Sequence, residues 1–177
     1  MKLELLPALQ HPELLAEPVD AALQALGSDE VFVAAIDPTL ADTAAFCEQY
    51  DVGLEISANC VIVAGRRGEV TRYAACMILA TTRADVNGTV RQLLDARKAS
   101  FAPMDDAVTL TGMEYGGITP VGLPAEWPIY VDSRIVESPQ IVIGSGIRAS
   151  KLVLPGRVLA TLPGAQVVEG LASARPL

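Results

Sequence analysis

The sequence predicts an α+β fold built as a single domain. Helical and strand-like segments are mixed along the 177 residues, and two neighbouring strands are joined by a tight turn instead of the regular strand–helix–strand repeat of a parallel sheet. Hydrophobic residues make up 51% of the chain, enough for one buried core, and the length argues against a second domain. We therefore expect residues 1–177 to form one mixed sheet packed by helices, with residues 1–28 as an added N-terminal helical segment.

Helices are predicted where apolar residues recur every three to four positions. Gly27 would end the first helix, which Pro18 would kink or split. Asp42 and Asp85 would cap the second and third helices. The expected helices cover residues 14–26, 43–50, 86–97 and 107–111.

Strands are predicted in short runs that are rich in β-branched and aromatic residues. Two of these runs flank a turn at 65–68 that begins and ends with glycine, which indicates a β-hairpin. A run that ends in Gly-Ser-Gly at 144–146 indicates a second hairpin. The expected strands cover residues 31–36, 57–63, 70–79, 100–103, 127–132, 140–143 and 165–169.

Several classes of protein are excluded by composition. The longest apolar run in the middle of the chain, at 74–80, is too short to cross a bilayer, and the N-terminus lacks the layout of a signal peptide, so we expect a cytoplasmic protein with no membrane partner. His11 is the only histidine, which argues against a Ser-His-Asp triad or a histidine metal cluster. Three cysteines without CxxC spacing are expected to be buried free thiols: Cys47, Cys60 and Cys76.

The stretch at 112–122 is the strongest candidate for a binding site. Its eleven residues contain four glycines and Pro120, a composition that fits neither a helix interior nor an uninterrupted strand. Gly116 and Gly117 would let a ligand approach the main chain closely, and free backbone N–H groups suit a carbonyl or phosphate oxygen. The spacing is neither GxGxxG nor a Walker loop, so no dinucleotide or nucleoside triphosphate is indicated. Spacing alone leaves a plain turn as the alternative.

The sequence Gly-Gly-Ile-Thr-Pro-Val-Gly at 116–122, followed by Ile-Tyr-Val-Asp at 129–132, resembles the signature of the YbaK/ProX family. These proteins are prolyl-tRNA-synthetase-associated aminoacyl-tRNA deacylases, which hydrolyse mischarged tRNA. The resemblance covers residues 43–169 and places Gly116 and Pro120 on the family's GxxxP substrate loop. It implies a compact domain around a largely antiparallel, partly barrel-like sheet. It also implies a tRNA acceptor end carrying a wrong amino acid as the partner, with no metal or organic cofactor.

The segment at 140–154 is similar to a second family segment, in which a glycine-rich turn precedes cations. The resemblance implies that this segment forms the second wall of the pocket and contacts the terminal phosphates of the tRNA. The residues assigned to substrate binding there are Gly144, Ser145, Gly146, Arg148 and Lys151. Asp132 matches the family's aspartate, and it would either orient a site residue or cap the turn that follows it.

Asn59 is the main departure from the family pattern. Family members carry a lysine just before this strand, and that lysine is assigned to substrate binding and activation. Asparagine donates a hydrogen bond without a charge, and loss of a charge-assisted contact would cost about 10- to 100-fold in binding or rate. The resemblance then implies Asn59 in place of the lysine, Gly116 and Gly117 as oxyanion donors, and Thr119 and Pro120 as walls of the amino-acid pocket.

Three functions stay open from the sequence. The leading one is hydrolysis of mischarged aminoacyl-tRNA; the alternatives are a noncatalytic relative that binds an aminoacyl or nucleotide ligand, and a structural or partner-binding domain. The net charge of −8 is concentrated in the first fifty residues, which contain nine acidic residues but only Lys2 among lysines and arginines. Acidity weakens the case for tRNA without excluding it, because a small editing enzyme need only grip the acceptor end. The sequence does not distinguish a monomer from a homodimer.

Overall fold

The fold is α+β, as predicted, but its strands form three separate sheets and no closed barrel. A computed structural model describes residues 1–176. The sheets have four, five and two strands. The two larger sheets pack face to face around a shared core, and a parallel bridge between Ser57 and Val142 links their edges without closing a barrel.

The elements are numbered in chain order. The strands are β1 Leu6–Pro7, β2 Phe32–Ala35, β3 Ala58–Arg67, β4 Val70–Leu79, β5 Thr82–Ala84, β6 Lys98–Phe101, β7 Ile129–Asp132, β8 Ile141–Gly144, β9 Ser150–Leu154, β10 Ala165–Val168 and β11 Ala172–Ala174. The helices are α1 Glu17–Leu26, α2 Thr43–Tyr50, α3 Arg91–Leu93, α4 Met104–Thr111, α5 Ser133–Glu137 and α6 Gly156–Leu159. In the part of the chain that the structure describes, no helix combines the length and apolar character needed to span a bilayer.

The five-stranded sheet has the order β10-β7-β4-β3-β6. Its centre is the predicted hairpin, in which β3 and β4 pair antiparallel over their full lengths. β7 runs parallel to both β4 and β10, whereas β6 runs antiparallel to β3 and forms one edge of the sheet. This sheet is therefore mixed, and β6 is left with one unpaired side.

The four-stranded sheet has the order β1-β2-β9-β8 and is antiparallel throughout. Its inner face, which includes Val33 and Leu152, packs against an inner face of the five-stranded sheet that includes Met77 and Val131. All four side chains are fully buried. Removal of apolar surface from water, at about 25 cal/mol per Å², is the main force that holds the two sheets together.

The N-terminal segment packs into this same core. α1 begins at Glu17, later than predicted, because Pro18 occupies the first helical turn, where its missing N–H costs nothing, and does not kink a longer helix. Gly27 ends the helix in a left-handed conformation with φ 64°, as expected. Val19 and Leu23 on α1 are buried against both sheets.

The structure differs from the predicted local structure in two respects. The helix expected at 86–97 is a π-helical turn at Val86–Val90 that leads into α3, and Asp85 caps it by accepting bonds from the Gly88 and Thr89 amides. The strands β1, β5 and β11 were missed, since segments of two or three residues are too short to show a period.

Candidate active site

One cleft of about 330 Å³ joins the glycine loop to both large sheets. It lies between the start of β3, the start of α2, the loop at 115–118 and the facing ends of β8 and β9. We call it the glycine-loop cleft. Four residues predicted for the site line it: Asn59, Gly116, Gly144 and Lys151. Their convergence from three distant parts of the chain argues against a plain turn at 112–122.

Asn59 lies at the start of β3 and is held in place by α2. The Thr43 hydroxyl donates a hydrogen bond of 2.8 Å to Asn59 Oδ1. Because Oδ1 is engaged, the Nδ2 hydrogens are available to a ligand in the cleft. Asn59 therefore presents a neutral, oriented donor where the family pattern has a flexible cation.

Lys151 brings a cation to the same cleft from the other sheet. Its Nζ donates a hydrogen bond of 3.0 Å to the Ala41 carbonyl and lies 5.2 Å from the centre of the Phe46 ring. The residue is only 9% exposed, and burial lowers the pKa of its ammonium group below the ordinary lysine value. The sequence placed Lys151 beside the terminal phosphates; the structure places it in the wall of the cleft that Asn59 lines.

The two adjacent glycines of the loop have different environments. Gly116 lines the cleft with φ 82°, a conformation that other residues rarely adopt, and within residues 1–176 no backbone hydrogen bond of the loop uses its N–H. Gly117 donates its N–H to the Glu114 carbonyl at 2.9 Å and accepts from the Gly146 amide at 2.7 Å. The expectation that Gly117 offers a free oxyanion donor is therefore wrong: its backbone packs against the turn at 144–148.

Arg148 holds the glycine loop in place through side-chain hydrogen bonds. Its Nε donates to the Pro38 carbonyl and its Nη1 to the Tyr115 carbonyl, each at 3.1 Å, and Nη1 lies 3.9 Å from Asp42 Oδ1. These bonds tie the glycine loop to the chain that precedes α2. The guanidinium group is thus occupied inside the protein and does not line the cleft, in contrast to its expected role at the terminal nucleotide.

Two residues expected to shape the amino-acid pocket lie elsewhere. Thr119 is fully buried, and its hydroxyl has no hydrogen-bond partner among the described residues. Pro120 lines a separate apolar pocket beside α1. Ile118 is the last loop residue that lines the glycine-loop cleft. The chain enters the core directly after it, so Thr119 and Pro120 lie away from the cleft.

The other predicted binding residues serve local structure. Asp132 caps α5 by accepting from the Arg134 amide at 3.0 Å and also pairs with the Arg134 side chain, the alternative allowed by the sequence. Ser145 is buried and accepts a hydrogen bond of 2.7 Å from the Ser150 hydroxyl. Gly146, with φ 89°, leaves room for α1 at the N-terminal end of that helix. None of the three lines the glycine-loop cleft.

Sequence reasoning missed part of the lining because those residues have ordinary side chains. They are Ala41, Asp42, Thr43, Ala58, Cys60, Val61, Tyr115 and Ile118. Cys60 is a free thiol whose pKa burial raises, so a reactive thiolate is disfavoured. Among the described residues, no cluster of His, Cys, Asp and Glu side chains could hold a metal ion.

Comparison with known proteins assigns the chain to a family. The model of the aminoacyl-tRNA editing domain matches residues 37–162, which is most of the chain and includes every residue of the cleft. The chain therefore belongs to the aminoacyl-tRNA editing domain family. Hydrolysis of mischarged aminoacyl-tRNA is the function that this membership supports, and the noncatalytic alternative is not favoured.

Solved structures show the same fold. A protein described as a proposed trans-editing enzyme for prolyl-tRNA synthetase superposes with a TM-score of 0.73 at 20% identity, over 94% of this chain and 98% of that one. A hypothetical protein, APE2540, gives a TM-score of 0.77 at 23% identity, over 89% and 100% of the two chains. A scaffold protein from a computational epitope-grafting study gives 0.74 at 21% identity, over 87% and 95%. No curated protein sequence gave a significant match.

Proposed function

We propose that the protein removes a wrongly attached amino acid from tRNA by hydrolysing the aminoacyl ester in the glycine-loop cleft. The observation that carries this proposal is the convergence of Asn59, Gly116 and Lys151 on one cleft in a chain of the editing family.

The ester needs little chemical activation from the protein. A water molecule adds to the ester carbonyl carbon, and the bond from that carbon to the ribose oxygen then breaks. The water supplies the hydroxyl of the released amino acid's carboxyl group, and its other proton goes to the ribose oxygen. Negative charge develops on the carbonyl oxygen during addition, so the main task of the protein is to hold donors at that oxygen.

Two neutral donors are placed for this task. The Gly116 N–H belongs to a rigid loop that Arg148 holds in position, and Asn59 Nδ2 is oriented by the bond from Thr43. Donors that are fixed before the reaction stabilise the developing charge without reorganisation. No side-chain nucleophile is assigned, because the thiol of Cys60 is held protonated by burial.

Lys151 supplies the positive charge that the family pattern places at position 59. The charge reaches the cleft from β9 instead of β3, and its burial in a low-dielectric wall strengthens its attraction to an oxyanion. This placement accounts for how a family member with Asn59 keeps a cation beside its substrate. We therefore assign Lys151 to stabilisation of the reacting group instead of to contact with a phosphate.

The finer assignments follow from the same chemistry. We place the protein in the YbaK/ProX branch of the editing domains, on its resemblance at 116–122, and we place its activity in the cytoplasm, where aminoacyl-tRNA is made and used. The apolar lining by Val61 and Ile118 suits a small uncharged amino-acid side chain. The partner is the acceptor end of a tRNA that carries such an amino acid.

Single-turnover hydrolysis tests the proposal. A panel of tRNAs mischarged with small amino acids would be incubated with excess protein, and loss of the ester would be followed against the spontaneous rate. We expect rapid hydrolysis of at least one mischarged tRNA and a much slower reaction with the correctly charged ones. Tight binding without hydrolysis on the whole panel would instead support the noncatalytic alternative.

A further inference from the structure

A positive surface lies along the edge strand β6, outside the glycine-loop cleft. Four cations surround a cleft of about 560 Å³ there, which we call the basic cleft. Its cations are Arg66, Arg91, Arg97 and Lys98. The rest of its lining is neutral and consists of Ala64, Asn87, Ala99 and Ser100. No acid faces this cleft in a chain that carries 21 acids and a net charge of −8.

The charge of the basic cleft is not neutralised within the protein. In the described part of the chain, none of the four cations forms an ion pair, whereas the neighbouring Arg67 pairs with Asp95 at 2.7 Å. Arg91 donates to the Asn87 carbonyl at 2.8 Å, which fixes its guanidinium group at the cleft. Unpaired like charges repel one another, so this surface favours an anionic partner that neutralises them.

A second groove adjoins the glycine-loop cleft, and its residue Phe101 directly follows Ser100 of the basic cleft on β6. This groove of about 420 Å³ shares Asn59 and Val61 with the glycine-loop cleft. Phe101, at the end of β6, lines it with 52% of its surface exposed, and Arg83 and Arg175 lie in the same lining. We call it the Phe101 groove. Phe101 and Lys98 lie about 10 Å apart along β6, and strand alternation places their side chains on opposite faces, so an RNA strand that contacts both must cross the open edge of β6.

We propose that β6 guides the RNA part of the substrate, with phosphates of the acceptor strand in the basic cleft and an unpaired base on Phe101. The aminoacyl ester at the 3′ end would then enter the glycine-loop cleft past Asn59. Single-stranded nucleic acid is bound in this manner, by cations that follow the phosphates and aromatic rings on which bases stack. The inference rests on the proposed function, because it assigns a path to the RNA of that substrate.

The competing interpretation is that charged residues on β6 only prevent strand pairing. Edge strands commonly carry lysine for this purpose, and Lys98 lies on the open side of the five-stranded sheet. That interpretation requires no effect of these charges on tRNA. It does not account for Arg91 and Arg97, which lie outside β6 and still face the same cleft.

The first test removes two charges from the basic cleft. The double variant Arg97→Gln/Lys98→Gln would be compared with Lys2→Gln/Arg157→Gln, which removes the same charge from exposed positions outside all three clefts. The readout is the Kd of uncharged tRNA across a salt series. We expect about tenfold weaker binding for the first variant only, and a slope of log K against log salt that is shallower by about 1.4 to 1.8.

This readout separates the inference from the proposed function. Binding of uncharged tRNA does not depend on hydrolysis, so a protein that deacylates mischarged tRNA but keeps its wild-type salt slope in Arg97→Gln/Lys98→Gln would refute the RNA path alone. Equal losses in both double variants would show a general effect of net charge and would also refute it. Equal loss of affinity for anionic vesicles and for tRNA would point to a membrane surface and overturn the assignment to RNA.

The second test addresses the aromatic residue. Phe101→Leu keeps the groove apolar and removes the ring, whereas Phe101→Tyr keeps the ring as a matched control. Base–aromatic stacking predicts about tenfold weaker binding of intact tRNA by Phe101→Leu, no change with Phe101→Tyr, and no difference among the three proteins on tRNA trimmed of its unpaired 3′ nucleotides. Equal binding of intact tRNA by Phe101→Leu and wild type would remove Phe101 from the path.

Discussion

The glycine-loop cleft and the basic cleft both contain cations, but they use them in opposite ways. Lys151 is a single, nearly buried charge that is fixed by a carbonyl and an aromatic ring. The basic cleft holds several charges that stay in contact with water. A buried charge acts strongly over a short distance and is hardly screened by salt, whereas exposed charges add up over a long substrate and are screened. For this reason we propose that Lys151 stabilises the reacting group, whereas the basic cleft guides the polyanionic RNA.

Removal of the Lys151 charge should give the largest effect. Lys151→Met keeps most of the buried volume and deletes the ammonium group, so we expect the single-turnover rate to fall by about 100-fold or more with little salt dependence. Thermal melts would confirm that the variant is folded. Lys2→Met is the matched control at an exposed lysine, and an equal rate in wild type and Lys151→Met would exclude a catalytic role for Lys151.

Moving the cation back to the family position tests whether its location matters. Asn59→Lys in the Lys151→Met background should recover at least about tenfold of the lost rate, because both side chains line the same cleft. In wild type, Asn59→Lys adds a second cation beside Lys151 and breaks the bond from Thr43, so no gain is expected. The measurement is single-turnover hydrolysis by all four proteins. A gain in wild type without recovery in the double variant would show that Lys151 is not the substitute cation.

The two loop glycines should respond differently to substitution. Gly116→Ala forces an unfavourable φ and brings a methyl group against the Arg148 guanidinium group that holds the loop, so the N–H of residue 116 should be displaced and hydrolysis should fall about tenfold. In Gly117→Ala the added Cβ would meet the Ile147 backbone at 2.7 Å, away from the ligand, so the loss should be mainly in stability, about 1 to 3 kcal/mol. Rates and unfolding curves of both variants provide the check. A purely structural effect at both positions would contradict the assignment of the Gly116 N–H.

The smallest of the expected effects is the change of hydrolytic activity with pH near neutrality. Burial lowers the pKa of Lys151, so its charge is lost at a lower pH than that of an exposed lysine, and activity that needs the charge should decline as pH rises through that lowered pKa. Lys151→Arg retains its charge and should lack this alkaline decline if it remains active.

The same group links pH to stability. Between the folded and unfolded pKa values of Lys151 the unfolded chain binds more protons, so this residue makes the free energy of unfolding rise with pH over that interval. A comparison of the alkaline stability of wild type and Lys151→Met would measure this contribution. A parallel pH dependence in both proteins would show that the Lys151 pKa is not lowered.

The sequence predicted the framework well where local signals were strong. The hairpin of β3 and β4 follows from a glycine-flanked turn between two β-rich runs, and Gly27 ends α1 because a left-handed residue is needed there. It did not predict that the strands divide into three sheets, because this division depends on edge pairings between distant segments. The three shortest strands have only two or three residues each, which is too short to show an alternation of apolar and polar residues.

Prediction of the site failed where identical residue types have different neighbours. Gly116 and Gly117 are adjacent glycines that no sequence pattern tells apart, and the bond from the Gly117 amide to the Glu114 carbonyl leaves the Gly116 N–H as the free donor of the two. Lys151 and Arg148 were both expected at the terminal phosphates, but Lys151 lies on β9 and Arg148 lies in the turn before it, so the two cations have different hydrogen-bond partners. Thr43 was read as part of a helix cap, and its bond to Asn59 depends on an approach between α2 and β3 that no local pattern encodes.

The pairing of β9 with β2 has a consequence for protein synthesis. Lys151 lies opposite Ala34 in this antiparallel pair, so the strand that brings Lys151 to the glycine-loop cleft joins β2 only after more than a hundred intervening residues have been made. A ribosome that adds about 5 to 20 residues per second delivers β9 several seconds or more after β2. During that interval the nascent chain comes to contain Asn59 but not Lys151, the cation that we propose for the reaction. The proposed site is therefore assembled only after β9 has been synthesised.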